Sequence, residues 1–226
     1  MAFVHVLVNL NRGRPGAAAA WLDTLRTVSP NPFYPWVAAA FYGGEPADTG
    51  RLSPDLNDFV RSLRGDEAAG RRVMAFQRDR AAADTLQGFW FRMLPLTEAM
   101  LAVKRRDPAA ARLMDVADSL WRGQEGNAEW ASLLIARLYQ EQGRTDRALR
   151  AVRRRYSSLG YPNPPGLAES LRLEGKLASA SGDKVGAIRA YRNYLKVRAD
   201  PEPARMAQRD SVVAELAAIG DLEGSR

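Results

Sequence analysis

The sequence predicts an all-helical protein in which pairs of antiparallel helices stack into an array. Apolar residues recur every three to four positions along its clearest segments, which is the spacing of one face of an α-helix. Turn residues that end one helix and begin the next recur along the chain, and two of these joints are related by a constant shift. The 226 residues, of which 46% are hydrophobic and 26% charged, have the composition of a soluble globular protein.

The first well-formed helix pair begins near residue 128. Its first helix carries apolar residues at helical spacing, and its second runs through Ala148 and Val152. Between the two helices, Gly143 suits the left-handed residue that ends a helix, and Thr145 suits the N-cap of the next one. We therefore expect two antiparallel helices joined by a short turn.

A second pair repeats this pattern. Its joint contains Gly182 and Asp183, and Ala187 lies in its second helix. The shift from Gly143 to Gly182 is 39 residues, and the shift from Ala148 to Ala187 is the same. Residues 156–166 contain three prolines, which excludes a helix interior, so this segment is predicted to be the loop that connects the pairs.

Two joints of similar character lie upstream, at residues 12–18 and 106–111, where a Pro precedes a run of alanines. Residues 1–58 are predicted to form a divergent N-terminal helix pair and a Pro/Gly-rich loop. Residues 59–127 are predicted to form degenerate helical repeats. The helices expected in and beside this segment span about 55–64, 67–86 and 89–105, and Pro95 is expected to bend or begin the last of them.

The two well-formed repeats occupy residues 128–200, and residues 201–226 are predicted to form a C-terminal capping helix and a tail. Asp200-Pro201-Glu202-Pro203 ends the preceding helix. The following segment carries one apolar stripe, made of Val212, Val213, Leu216 and Ile219. One apolar face and one polar face are typical of a helix that closes the end of an array.

The small and aromatic residues of these pairs resemble the tetratricopeptide repeat, over about residues 128–200. Its motif positions fall on Ser132, Ile135, Ala136, Tyr139, Ala148 and Val152 in one repeat, and on Leu171, Glu174, Gly175, Ala178, Ala187 and Tyr191 in the next, with Pro201 just past the end. The resemblance is also to the repeat regions of some bacterial regulatory proteins. It implies a right-handed superhelical array, an α-solenoid, that acts as a non-catalytic scaffold for protein–protein interaction.

The resemblance further implies a concave groove, lined by the first helix of each repeat, that receives a protein or peptide partner. The groove residues it implies are Lys104, Trp130, Leu133, Arg137, Gln140, Arg172 and Lys176, with Met93, Leu96, Met100, Val103, Glu141, Glu169 and Ser179 at further positions of the same faces. Such a surface suits a peptide with an apolar anchor and a carboxylate. Ordinary solvated helix faces are the competing interpretation.

A basic stripe on one helix favours an alternative function. Arg144, Arg147, Arg150 and Arg153 are spaced by three and therefore follow one side of the helix. This stripe could bind phosphates, which would make the protein a nucleic-acid-associated regulator with salt-dependent binding. Tyr156 is the one aromatic residue beside the stripe, whereas single-stranded binding relies on several, so a solvated outer face is the preferred interpretation.

The residue types argue against an enzyme, a metal site and a cofactor. There is no cysteine and only one histidine, His5, which leaves almost no material for His-based metal sites or a Ser/His triad, so a site made of carboxylates alone is the remaining alternative. Glu125 and Glu129 are the nearest approach to paired acids, but no basic partner converges on them. The aromatic residues Phe89, Trp90, Phe91, Trp36, Phe41 and Tyr42 fit a core better than a cofactor site.

The net charge of +7 raises the question of acidic partners, but Arg outnumbers Lys so strongly that it favours a compositional bias over a phosphate-binding face. No stretch has the roughly 18 apolar residues of a transmembrane helix. We expect the cytoplasm, with an extracytoplasmic segment of a larger membrane-anchored chain as the alternative. The chain opens inside an apolar element, which favours a part of a longer protein.

Overall fold

The computed structural model describes residues 2–28, 54–83, 88–122, 128–154 and 166–220. Within these ranges all regular structure is α-helical, which confirms the predicted all-α class. The helices of this part are α1 (Ala2–Arg12), α2 (Pro15–Val28), α3 (Pro54–Leu63), α4 (Glu67–Ala83), α5 (Phe89–Arg105), α6 (Ala110–Trp121), α7 (Ala128–Glu141), α8 (Thr145–Arg153), α9 (Leu167–Ala180), α10 (Lys184–Val197) and α11 (Pro203–Ala218).

Left-handed residues end the first helix at each of the four predicted joints. Gly13, Gly143 and Gly182 have φ of 80°, 71° and 80°, and Arg106 has φ of 56°. Glycine adopts this conformation without a Cβ penalty, so the chain reverses direction there at low cost. The predicted joints therefore coincide with the turns between α1 and α2, α5 and α6, α7 and α8, and α9 and α10.

The N-caps of the second helices differ between the two well-formed pairs. The Asp183 carboxylate accepts a hydrogen bond from the Gly186 backbone N–H at 2.9 Å and so caps α10. The prediction that Thr145 caps α8 is wrong, because Thr145 is the first helical residue and Arg144 occupies the N-cap position without a side-chain cap. Arg144 is instead oriented by its ion pair with Asp115 on α6.

The upstream helices agree with the predicted segments. Helices α3, α4 and α5 begin within one residue of the predicted starts, and the predicted end of α4 at residue 86 lies outside the described residues. Pro95 lies inside α5 and does not begin it. The predicted breaks and the apolar run within residues 29–53, and the predicted loop at residues 155–165, also lie outside the described part.

Successive helices from α3 to α11 pack on one another in chain order. Helices two apart also touch at two places, α3 with α5 and α5 with α7. Small residues permit close approach within the pairs. Ala136, Ala148 and Ala187 are fully buried, and Tyr139 and Tyr191 fill the space beside them.

The last three helices share a separate cluster of buried side chains, contributed by Ala168, Leu171, Tyr191, Tyr194, Val212 and Leu216. Val212 and Leu216 belong to the apolar stripe predicted for α11, and both are fully buried. The opposite face of α11 remains exposed, for example at Met206. The terminal helix therefore covers the last pair.

The N-terminal hairpin, α1 with α2, packs outside the chain order. Beyond its own partner, α1 makes its main contact with α9, more than 150 residues away, and not with the next pair along the chain. Asn11 is buried there, where its side-chain oxygen accepts a hydrogen bond from the backbone N–H of Ala168 at 3.4 Å. The N-terminal hairpin therefore does not follow the sequential order in which the helices from α3 onwards pack.

Residues 198–202, which follow α10, contact the turn between α1 and α2. We call the contacts described next the clasp. The backbone N–H of Glu202 donates to the Gly13 carbonyl at 3.0 Å. The Glu202 carboxylate accepts from the backbone N–H groups of Gly16 and Ala17, at 3.1 and 3.2 Å. A carboxylate at this position satisfies unpaired donors of α2 and complements the positive end of its dipole.

Candidate functional site

A cleft of about 440 Å³ opens between α7 and α9, the first helices of the two well-formed pairs. Ligand pockets usually measure roughly 300–1,000 Å³, so this volume suits a few peptide residues or a small molecule. The side chains that line the cleft are Arg137, Gln140 and Glu141 from α7, and Glu169, Arg172, Leu173 and Lys176 from α9.

Helical spacing places these side chains together. On α9, the lining residues follow Glu169 by three, four and seven positions, which is one face of a helix. Another face of α9 packs on α10, where Gly175 lies against the ring of Tyr191. The cleft is therefore bordered by faces that the helix pairs themselves leave uncovered.

Partly exposed ion pairs involve two residues that line the cleft, Glu141 and Lys176. The Lys104 Nζ lies 2.7 Å from the Glu141 carboxylate, which ties α5 to α7. The Lys176 Nζ lies 3.8 Å from the Glu215 carboxylate on α11. Exposed pairs contribute only about 0–1 kcal/mol, so both lysines can turn towards a ligand at little cost.

Glu169 is a buried member of the cleft lining. Its side chain is 3% exposed, and its carboxylate accepts a 2.8 Å hydrogen bond from Arg198, whose side chain is 1% exposed. Its second oxygen lies 3.4 Å from Nε of Arg172. Arg198 therefore provides the stronger compensation for this buried charge, and Arg172 a weaker one.

Arg137 is half-buried on the opposite wall. Burial lowers the pKa of its guanidinium, Glu169 and Glu141 act against this effect, and the neighbouring Arg172 adds to it. A cation in these surroundings is stabilised by an added negative charge. The lining as a whole has three cations and two carboxylates, so an anionic group would balance its excess positive charge.

Four of the seven predicted groove residues meet in the cleft, namely Arg137, Gln140, Arg172 and Lys176. Lys104 does not line the cleft but forms an ion pair with Glu141, which does. Leu133 is 1% exposed and belongs to the core, so it offers no surface to a groove. The side chain of Trp130 lies outside the described residues.

The further groove positions divide in the same way. Met93, Leu96, Met100 and Val103 on α5 are buried and belong to the core. Glu141 and Glu169 line the cleft, and Ser179 is exposed on α9 outside its lining. Glu141 and Glu169 therefore reach the cleft, whereas Ser179 and the apolar residues on α5 do not.

The structure adds two residues that sequence reasoning did not single out. Leu173 lines the cleft, and its spacing from Arg172 and Glu169 could have indicated it. Arg198 follows α10 in a turn, and nothing in its local sequence indicates a buried side chain.

Much of the basic stripe is used within the fold. Arg144 pairs with Asp115 at 3.0 Å. Arg153 pairs with the buried Glu174 at 3.2 Å and also with Asp183. These contacts join α8 to the helices before and after it. Arg147 is partly exposed and Arg150 is exposed, and a role of the stripe in nucleic-acid binding stays a prediction.

The remaining candidate residues have ordinary surroundings where they are described. His5 is exposed and stacks on Trp21, with ring centroids 4.3 Å apart. Phe89 and Trp90 are half-buried and pack edge to face, and Phe91 is partly exposed. The other predicted positions fall on residues, or on side chains, outside the described part, namely Trp36, Phe41, Tyr42, Glu125 and Glu129.

Among the described residues, no group of three or more His, Cys, Asp or Glu side chains could hold a metal ion. No helix in these ranges is both long and apolar enough to cross a bilayer. Comparisons with protein-family models, curated proteins and solved structures return no match. The functional assignment therefore rests on the chemistry of the cleft.

Proposed function

We propose that this protein is a non-catalytic interaction scaffold that holds a carboxylate-bearing peptide segment of a partner protein in the cleft between α7 and α9. The observation that carries the proposal is the convergence of Arg137, Arg172 and Lys176, from two helices, on one cleft. Guanidinium groups bind carboxylates through charge-assisted hydrogen bonds, which are stronger than neutral ones.

The finer architecture belongs to the same proposal. The helix pairs form a tetratricopeptide-like right-handed α-solenoid, and the cleft is part of its concave surface. Sequential packing from α3 to α11 and the contacts of α5 with both α3 and α7 support this arrangement. The protein acts within a regulatory or assembly complex in the cytoplasm, and it needs no metal and no cofactor.

The cleft also offers an apolar contact. Leu173 lies beside the cations, with 8% of its surface exposed, and the aliphatic stems of the arginines and Lys176 extend this apolar area. A peptide that combines an apolar side chain with a nearby carboxylate therefore fits best. A chain that ends in leucine with a free terminal carboxylate presents both groups together.

The test uses two pools of fluorescently labelled pentapeptides that end in leucine, one with a free terminal carboxylate and one amidated. Fluorescence anisotropy should show preferential binding of the free-acid pool. Arg137→Ala with Arg172→Ala should weaken that binding at least tenfold, about 1.4 kcal/mol. Equal binding of both pools, or no binding of either, would contradict the proposal.

A matched control is Arg112→Ala with Arg150→Ala, which removes the same charge from exposed positions outside the cleft. This variant should bind the free-acid pool as the wild type does. A loss equal to that of the cleft variant would mean that overall charge, and not the cleft, attracts the peptide.

A further inference from the structure

Arg198 is the buried group that connects the cleft to the N-terminal hairpin. One terminal nitrogen of its guanidinium donates to the Glu169 carboxylate at 2.8 Å, and the other donates to the Leu10 carbonyl at 3.3 Å. Leu10 lies in the last turn of α1, and its carbonyl also accepts a hydrogen bond from the backbone N–H of Gly13 at 3.0 Å. A cation at this position also complements the negative end of the helix dipole.

The hairpin turn closes over the Arg198 side chain. A Cβ atom at Gly13 would overlap the guanidinium, so glycine is needed there both for its φ of 80° and for the space. The clasp between Glu202 and residues 13–17 keeps this turn in place. The docked hairpin therefore contacts Arg198 on the side chain that pairs with Glu169.

The position of Arg198 decides how Glu169 acts on the cleft. Glu169 is buried and carries its charge between Arg172 and the half-buried Arg137. Arg198 pairs with this carboxylate at 2.8 Å, whereas Arg172 has a longer contact with it, at 3.4 Å. If Arg198 were absent, Glu169 would compete with an anionic ligand for Arg137 and Arg172.

We infer that Arg198 is a positioning residue of the cleft, which pairs with Glu169 and so weakens the competition of this carboxylate with an anionic ligand for Arg137 and Arg172. Because Arg198 also bonds to α1, docking of the N-terminal hairpin promotes capture of the ligand. This inference rests on the proposed function, since it explains how the same cleft maintains its affinity for a carboxylate.

The experiment measures binding of the free-acid peptide pool to three full-length proteins. Arg198→Gln should bind at least tenfold more weakly than the wild type, although residue 198 does not line the cleft. Glu169→Gln with Arg198→Gln should bind at least fivefold more tightly than Arg198→Gln alone, because the Glu169 charge then no longer competes for Arg137 and Arg172. Circular dichroism and urea midpoints of all three proteins are measured beside binding, because a purely structural role predicts weaker binding only in proportion to unfolding, whereas the inference expects it in folded Arg198→Gln.

Two results would overturn the inference. One is wild-type affinity in folded Arg198→Gln, and the other is a double variant that binds no more tightly than Arg198→Gln. If Arg198→Gln does not fold, Glu202→Ala decides instead: loosening the clasp should weaken binding by the folded protein, and wild-type affinity in this variant would overturn the inference. Failure of the wild type to distinguish the two peptide pools would instead refute the proposed function itself.

Discussion

Gly175 on α9 lies directly against the aromatic ring of Tyr191 on α10, so close that a Cβ atom at position 175 would overlap the ring. Tyr191 is almost fully buried, and its hydroxyl bonds to Glu215 on α11. The ring is therefore held from both sides. This contact fixes how closely the two helices of the last pair approach.

Gly175→Ala is expected to destabilise the protein despite the higher helix propensity of alanine. Overpacking costs about 1–3 kcal/mol, and the gain in helix propensity offsets roughly 0.8–1 kcal/mol of it. Chemical denaturation should show a lower midpoint for this variant. Ser179→Ala, at an exposed position of the same helix, is the control and should change stability little; an unchanged midpoint in both would refute the contact.

Arg153→Ala should destabilise the fold, whereas Arg150→Ala should not. Arg153 is bonded to Glu174, which is 1% exposed, and loss of a partner for a buried acceptor costs about 1–3 kcal/mol. Arg150 is exposed on the same helix. Thermal melting of the two variants tests this difference, and equal melting temperatures would show that Arg153 has no structural role.

The unfolding free energy should fall as the pH rises above about 10. Burial raises the pKa of Tyr139 above its ordinary value of 10.0, and the carboxylates of Asp118 and Asp115 add to this effect. The folded state thus keeps the phenol proton that the unfolded chain loses. This stability is complete below the unfolded pKa and is lost as the pH rises through the folded one.

Urea titrations from pH 8 to pH 11 measure this dependence. Tyr139→Phe should reduce the slope of the unfolding free energy against pH by up to about 1.4 kcal/mol per pH unit. At pH 8 this variant should be less stable than the wild type by about 0.5–1.5 kcal/mol, because it lacks the hydrogen bond to Asp115. The difference between wild type and variant removes the contribution of Lys and Arg ionisation. Parallel curves would show that Tyr139 ionises normally in the folded protein.

Glu202→Ala should loosen the N-terminal hairpin while leaving the rest of the fold intact. The Glu202 carboxylate caps α2 from a distance of about 185 residues along the chain, and loss of such a cap costs about 0.5–2 kcal/mol. Hydrogen exchange should accelerate in α1 and α2 but not in α5 to α8. Asp210→Ala, which removes an exposed carboxylate from α11, should leave exchange in the hairpin unchanged.

The amino-acid sequence by itself determines the helices, the four joints and the shared face of the cleft residues. These features depend on interactions within a few residues. Left-handed glycines reverse the chain at Gly143 and Gly182, and a spacing of three or four places Glu169, Arg172 and Lys176 on one side of a helix. Both relationships are visible without knowledge of any distant contact.

Only the tertiary structure decides which of these faces remain open and which charges are compensated. Leu133 and Met100 share the predicted groove faces but are buried in the core, because neighbouring helices cover them. Arg198 reaches Glu169 and Leu10 only once α1, α9 and α10 are assembled. Contacts between residues so far apart depend on how helices stack, and local periodicity contains no information about that stacking.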